Sequence, residues 1–241
     1  MQIFGKTDIG AARHSNQDTF FIENLSDDTI LAIVCDGMGG AKAGNIASEN
    51  AVTMISDYVF KSYSPKMNAF AISDLLKNAV VSANIEIYQL AAKNDMLKGM
   101  GTTVVAALIR GNDVVVCHVG DSRAYVMNDE LSQITRDHSV VQSLVESGKL
   151  TPEEAMVHPE KNVITKALGV EADIMPDCCE FTIRDNDKIL LCTDGLTNFV
   201  EPKDISQILK NNNVQDAAVA LIDKANSNGG GDNITVVVAF N

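Results

Sequence analysis

Short apolar or alternating runs, most of them bounded by Gly, Asn or Asp, fall at Thr19–Glu23, Thr29–Cys35, Thr103–Ile109, Val114–Val119, Arg123–Met127, Lys188–Cys192 and Thr235–Phe240 and predict β-strands. Arg110-Gly-Asn-Asp113 and Met127-Asn-Asp-Glu130 read as the turns of hairpins. A different period governs the stretch in which Ile72, Leu75, Leu76, Ala79, Val80, Ala83, Ile87 and Leu90 recur at helical spacing, giving a long amphipathic helix. A companion helix runs from Asn45 to Lys61, and a third uses Val214, Ala217, Ala218, Leu221, Ile222 and Ala225. Thr151-Pro-Glu-Glu154 marks a further helix start, with Thr as N-cap, Pro at the first helical position and Glu three residues after the cap. The helices come in two batches with hairpin-linked strands between them. That order predicts an α+β fold, mainly antiparallel sheets covered by helices, over a doubly wound parallel sheet. No repeat, low-complexity tract or Pro/Ser-rich linker interrupts the chain, so residues 1–241 read as a single domain.

Composition narrows the function. Lys and Arg total 19 against 32 Asp and Glu, a formal charge of −13. No basic cluster is available to neutralise phosphates, which disfavours nucleic acid and anionic membrane surfaces as partners. Residues 1–16 lack a basic segment followed by an apolar one, and no apolar run approaches the roughly 18 residues needed to span a bilayer, so a cytoplasmic protein is expected. The five cysteines form no C-x-x-C pair, and Cys35, Cys117 and Cys192 sit in or at the end of apolar runs, which predicts reduced, buried thiols.

The chemistry is carried by where certain aspartates fall. Four times an apolar strand meets an Asp beside Gly: at Asp36-Gly37, Gly120-Asp121, Asp194-Gly195 and Gly231-Asp232. One such pair is an ordinary turn. A carboxylate at the end of a buried strand is costly to desolvate without a compensating cation, and four such ends in one domain suggest a shared one. Carboxylate oxygens with no Cys/His ligand spacing select Mg²⁺ or Mn²⁺ over Zn²⁺. A Ca²⁺ site that only staples loops would use the same oxygens, but no EF-hand-like spacing is present.

In order and identity the motifs resemble the metal-dependent protein Ser/Thr phosphatases of the PPM or PP2C class, in their compact bacterial form. The likeness runs from Thr7-Asp-Ile-Gly10 through Arg13-His-Ser-Asn-Gln-Asp18, Asp36-Gly-Met-Gly-Gly40, Gly99-Met-Gly-Thr-Thr103, Gly120-Asp-Ser-Arg123 and Thr135-Arg-Asp-His138 to Thr193-Asp-Gly195 and Gly231-Asp-Asn233, nearly the whole chain. It implies an αββα sandwich with a metal centre at one end of the two sheets. By position, Asp36 would bridge two Mn²⁺ or Mg²⁺ ions, the Gly37 carbonyl would bind one of them, and Asp194 and Asp232 would complete the other shell. Asp121, with Asp194, would hold a third ion. Asp18 would hold waters behind the metals, with Asn233 beside it, and Arg13 would grip the substrate phosphate. A hydroxide bridging the two metals would attack phosphorus in line. Residues 139–169 correspond to the flap, a substrate-facing insertion. The substrates implied are phosphoserine and phosphothreonine proteins, a partner Ser/Thr kinase among them.

Departures from the family pattern stand beside the match. Met38 stands where eukaryotic members carry a His and Ala41 where many bacterial relatives do, which leaves the proton donor to the leaving group unassigned, and Gln17 stands where human-type members have Glu. His118 reads as a core histidine and His138 as structural. His14, next to Arg13, is expected to point away from it if both lie on a strand. Two rival functions are weighed. Cys117-x₅-Arg123 fits the pattern of Cys-dependent tyrosine phosphatases, yet Asp121 would put a negative charge in the phosphate cradle. A pseudophosphatase that binds phosphoproteins or a kinase without hydrolysis would be expected to lack the ligand aspartates.

Overall fold

The computed structural model describes residues 1–40 and 43–241. Its strands are β1 (Gln2–Asp8), β2 (Asp18–Ser26), β3 (Thr29–Met38), β4 (Gly101–Thr102), β5 (Val104–Arg110), β6 (Asp113–Val119), β7 (Arg123–Met127), β8 (Leu131–Gln133), β9 (Asp177–Thr182), β10 (Lys188–Cys192) and β11 (Ile234–Phe240). They form two antiparallel sheets, one in the order β1-β11-β10-β7-β8 and the other in the order β2-β3-β5-β6-β9, with β4 paired to the end of β3. Helices α1 (Ala43–Ser62) and α2 (Ala69–Lys93) cover the second sheet. Two short helices, α3 (Val140–Glu146) and α4 (Pro152–Met156), lie in the segment after β8. Then α5 (Asp194–Thr197), α6 (Pro202–Asn211) and α7 (Val214–Ser227) complete the chain, the last two packing on the first sheet.

The α+β expectation holds, and the pleat explains why the central strands read as continuous apolar runs. On β3, Leu31, Ile33 and Cys35 face α1 and α2, while Ala32 and Val34 face the other sheet. On β10 and β11, Leu190, Cys192, Val236 and Val238 face α6 and α7, while Ile189, Leu191, Val237 and Ala239 point inward. With a layer on both faces, each position of a central strand must be apolar. Full burial of each large side chain contributes about 1.5–3 kcal/mol, so the helices are fixed by packing more than by propensity.

All seven expected strands and the three long helices are present. Of the four edge strands, β2 is read from its Phe20-Phe21-Ile22 run, whereas β1 and β9 carry no apolar run longer than two residues and β8 is only three residues long. The capping box at Thr151 forms as expected, its hydroxyl accepting from Glu154 N–H and Glu154 returning to Thr151 N–H. One expectation is corrected. Cys117 is not a free thiol but is joined in a disulfide to Cys178, with Cα atoms 4.1 Å apart. The two residues are directly opposed on β6 and β9, a register that neither the cysteine count nor their spacing reports. Cys35 and Cys192 are free and fully buried, and burial pushes the Cys192 thiol up to about 12 and raises that of Cys35. Among the described residues no helix is long and apolar enough to cross a membrane.

One buried amide ties the segment after β8 to the helical layer. Asn84 of α2, fully buried, donates to the carbonyls of Glu171 (3.0 Å) and Ala172 (3.1 Å) and accepts from Gly169 N–H (2.8 Å). Asn84→Ala is expected to cost about 1–3 kcal/mol, since the backbone groups it leaves are partly buried. A lower urea midpoint, with faster hydrogen exchange at residues 169–172, checks this; an unchanged midpoint would mean that the segment is held by other contacts.

Candidate active site and metal centre

Alternating strand direction brings the C-terminal ends of β3, β6 and β10 and the N-terminal ends of β2, β7 and β11 to one end of the sandwich. Each candidate acid sits at one of these ends. Asp18 and Asp36 are opposed across β2 and β3, Asp121 follows β6, Asp194 opens α5 directly after β10, and Asp232 precedes β11. Arg13, Asp36, Gly37, Asp121, Asp194, Asp232 and Asn233 all line one open cleft of about 610 Å³. Asp18 lies outside this lining, buried across from Asp36.

The acids are held by groups from every neighbouring strand. The Asp36 backbone donates to Thr103 Oγ1 (3.0 Å) and accepts from Thr103 N–H (2.9 Å) and the Thr102 hydroxyl (2.9 Å). Thr193 donates to Asp18 Oδ2 (2.9 Å), and Asn198, one helical turn on, donates to Asp194 Oδ2 (2.9 Å). Asn233 accepts from Gln17 N–H and donates to the carbonyls of Ile9 and Ser15, which clamps the loop carrying Arg13 onto the start of β11. Gln17 turns its neutral amide to the carbonyls of Gly39 and Gly40.

Asp121 is set by two motifs acting together. Gly120 adopts φ of +103° and lies against Thr103, so a side chain there would be both strained and blocked. Ser122 pairs with Thr103 Oγ1 (2.7 Å), and Arg123 makes a two-armed contact with Asp137 (2.6–3.0 Å). His138 grips Gly120 twice, its N–H donating to the Gly120 carbonyl (2.9 Å) and its Nδ1 accepting from Gly120 N–H (3.1 Å). The function of the Thr135–His138 motif is thereby visible: it holds the turn that presents Asp121. Thr103, Thr193 and Asn198 were missed by sequence reasoning, although Thr103 and Thr193 stood inside quoted motifs.

The electrostatics follow from crowding. Burial, then the neighbouring Asp18, Asp194, Asp121 and Asp232, hold the Asp36 carboxyl well above its usual range. Burial followed by Asp194 raises Asp121 to about 8, and burial raises Asp18 to about 7 against the hydrogen bonds from Thr235 and Thr193. Burial and Asp232 raise Asp194 as well. Asp18 Oδ1 and Asp194 Oδ1 are buried with no hydrogen-bond partner. Orphaned carboxylate oxygens in an acid-only donor set are what a hard divalent cation compensates, so these residues fit Mg²⁺ or Mn²⁺. Arg13 Nη2 meanwhile pairs with Asp232 Oδ2 at 2.8 Å.

The histidines separate into two groups. His14 lies in a loop rather than on a strand, and it lines the cleft together with Arg13, which corrects the expectation that the two would diverge. His118 is buried and stacks on His138, ring centroids 4.9 Å apart, with its Nε2 on the Arg136 carbonyl. His118, His138 and Asp177 bring donor atoms within 4.8 Å of one another. A cation there meets three obstacles. Gly120 N–H occupies His138 Nδ1, which leaves the ring proton on Nε2; that proton points at Asp177 (3.2 Å); and Lys166 Nζ stands 3.3 Å from the same nitrogen. The cluster is a hydrogen-bonded wall outside the acid centre. The Cys117-x₅-Arg123 reading also fails on geometry, since Cys117 is fully buried in the disulfide and Arg123 is committed to Asp137.

Fold and site define a class: a four-layer sandwich with a carboxylate-lined, cation-fitting cleft at one end. Residues 10–220 match the family described as protein phosphatase 2C. The chain is 42% identical over 235 residues to serine/threonine phosphatase stp of Listeria innocua, covering 97% of this chain and 93% of that one. The crystal structure of serine/threonine phosphatase Stp1 from Staphylococcus aureus superposes with a TM-score of 0.94 at 36% identity, covering 100% of this chain and 94% of that one. The catalytic domain of serine threonine protein phosphatase PstP in complex with two manganese ions matches with a TM-score of 0.86 at 34% identity, over 98% and 96% of the two chains. This chain belongs to the protein phosphatase 2C family.

The raised carboxyls have a consequence for stability. A group whose pKa is higher folded than unfolded binds more protons in the folded state, so stability is lost as pH rises through the folded pKa. For Asp18 and Asp121 the window runs from the ordinary carboxylate range up to about 7 and about 8 respectively. With EDTA present, the melting temperature is expected to fall from about pH 5 to about pH 8, and saturating Mn²⁺ should raise it more at the higher pH, because protons and metal compete for the same oxygens. Equal metal stabilisation at both values would count against metal binding to these acids.

Proposed function

We propose that this chain is a Mg²⁺- or Mn²⁺-dependent protein Ser/Thr phosphatase that hydrolyses phosphoserine and phosphothreonine on proteins. The observation that carries this reading is the convergence of Asp36, Asp121, Asp194 and Asp232 with Arg13 on one open cleft, with buried oxygens lacking partners behind it. Asp36, the Gly37 carbonyl, Asp194 and Asp232 would hold two ions and Asp121 with Asp194 a third, while Asp18 and Asn233 support the site from behind. When bound, such ions supply Lewis-acid charge and lower the pKa of a water that can attack phosphorus.

The chain's own residues do the rest. Arg13, half exposed on the cleft, spends one arm on Asp232 and keeps the remaining N–H groups of its fork for phosphoryl oxygens. Thr103 holds both the Asp36 backbone and the Ser122 hydroxyl, so the two ligand-bearing segments keep a fixed spacing. Met38 lines the cleft where family members carry a His, and it offers no proton to the leaving group; Ala41, the other departure, lies outside the described residues. The substrate phosphate would be drawn by Arg13 and the ions against a net charge of −13. A cognate kinase among the substrates and a cytoplasmic location are part of the same proposal. Residues 139–169, as the flap, would face the substrate. Nothing in the site favours the pseudophosphatase alternative.

Phosphate release from a phosphothreonine peptide should require Mn²⁺ or Mg²⁺ and stop with EDTA. Asp36→Asn should lower kcat by more than the ~100-fold typical of an outer partner of a metal ligand, with the circular-dichroism spectrum unchanged. Near-full activity of that variant would sink the bridging assignment. Arg13→Ala should cost about 1.5–3 kcal/mol of transition-state binding, or ~10-fold to ~100-fold in kcat/KM, since it removes charge-assisted hydrogen bonds to the phosphoryl group. An unchanged kcat/KM would place phosphate recognition elsewhere.

A further inference from the structure

A second cavity, of about 260 Å³, opens beside the acid cleft. Met38 and Ile164 line both spaces, so the two are immediate neighbours. Its lining is mostly apolar, including Met38, Ile164, Val170, Ile174 and Met175, with Lys166, Glu171 and Asp173 among its polar residues. Val170 is 48% and Met175 65% exposed, so the cavity presents open apolar surface beside the cleft, although other apolar side chains such as Phe70 and Met96 are exposed elsewhere.

The cavity is built rather than loose. Leu168 exchanges both backbone hydrogen bonds with Thr102 (2.9 and 3.1 Å), and Asn84 fixes residues 169–172. Gly101 is hemmed by Met38 Cε, the Leu168 carbonyl and Val170 Cγ2. A Cβ there would stand 2.8–2.9 Å from all three, so the Met38 and Val170 side chains close over its bare Cα.

We propose that this cavity receives an apolar side chain of the substrate polypeptide, close in sequence to the phosphorylated residue. The inference rests on the phosphatase reading and adds a specificity site to it. Position sets the distance. Met38 lies two residues beyond Asp36 along β3, and an extended chain advances about 3.3 Å per residue, so the pocket stands roughly two to three residues from the phosphorylated one. Size points the same way, since the volume falls below the ~300 Å³ at which small-molecule pockets begin, and the space shares two lining residues with the cleft. The polar lining selects against acid, because Glu171 and Asp173 would repel an acidic side chain that Lys166, already near Asp177, answers only in part.

The test uses p-nitrophenyl phosphate and a phosphothreonine peptide series in which Ala, Leu or Glu replaces each of the four positions on either side, assayed with Mn²⁺. Leu at one position, two or three residues from the phosphothreonine, should raise kcat/KM about 10-fold over Ala, mostly through KM, and Glu there should lower it. Met175→Glu and Val170→Glu, both at exposed side chains, should collapse the Leu-to-Ala ratio toward one. Comparable rates for Leu and Ala at every position, or a ratio that survives both variants, overturns the pocket while p-nitrophenyl phosphate turnover upholds the phosphatase. Failure to hydrolyse p-nitrophenyl phosphate and every peptide overturns the phosphatase reading itself, and the pocket falls with it.

Discussion

Five carboxylates crowded into the end of a sandwich of apolar strands repel one another, and the low-dielectric surroundings make the charged forms costly. Asp36 stands at the centre of this conflict, since Asp18, Asp194, Asp121 and Asp232 all act on it. Hydrogen bonds from Thr193 and Asn198 reach only one oxygen of Asp18 and one of Asp194, and the other oxygen of each stays buried without a partner. A fold shaped by stability alone would not keep this arrangement. It is tolerable where protons offset the charge, or where a divalent cation of the kind the donor set fits would do so, competing for the same oxygens.

Much of the surrounding structure serves to hold those acids in spite of their repulsion. Backbone groups of Asp36 are fixed by Thr102 and Thr103, and the Asp121 turn is pinned from three sides by Thr103, the Arg123–Asp137 pair and His138. His138 also reaches Asp177 at the start of β9, and Lys166 stands beside both, so the turn at Asp121 and the C-terminal limb of segment 139–169 share one wall. That limb continues into residues that line the second cavity, and it is anchored on α2 through Asn84.

The fold was legible where both faces of an element are buried. Leu31–Cys35 and Thr235–Phe240 read as strands because a layer lies on each side of them, and the period of α2 survives intact because one helix face is core and the other solvent. The edge strands β1 and β9 were not legible, because neither carries an apolar run longer than two residues, whereas the edge strand β2 carries three. In the site, four of the acids could be picked out because Asp beside Gly at the end of an apolar run is unusual four times over, whereas Asp18 came only with the family resemblance. Thr193 and Asn198 could not be told from ordinary turn and helix residues, since their importance lies in which carboxylate they touch.

What the sequence by itself determined is whatever neighbours along the chain enforce: the strand and helix periods, the capping box at Thr151, and the hard-oxygen donor set placed at strand ends. Register and layer packing decided the rest. They opposed Cys117 to Cys178, paired Arg13 with Asp232 across 219 positions, turned His138 onto Gly120, and joined Met38 to Val170 over Gly101. The reason is physical. Local propensity is summed over adjacent residues, whereas a contact between distant groups depends on which strands pair and by how many residues they are offset, and only the packed structure fixes those offsets.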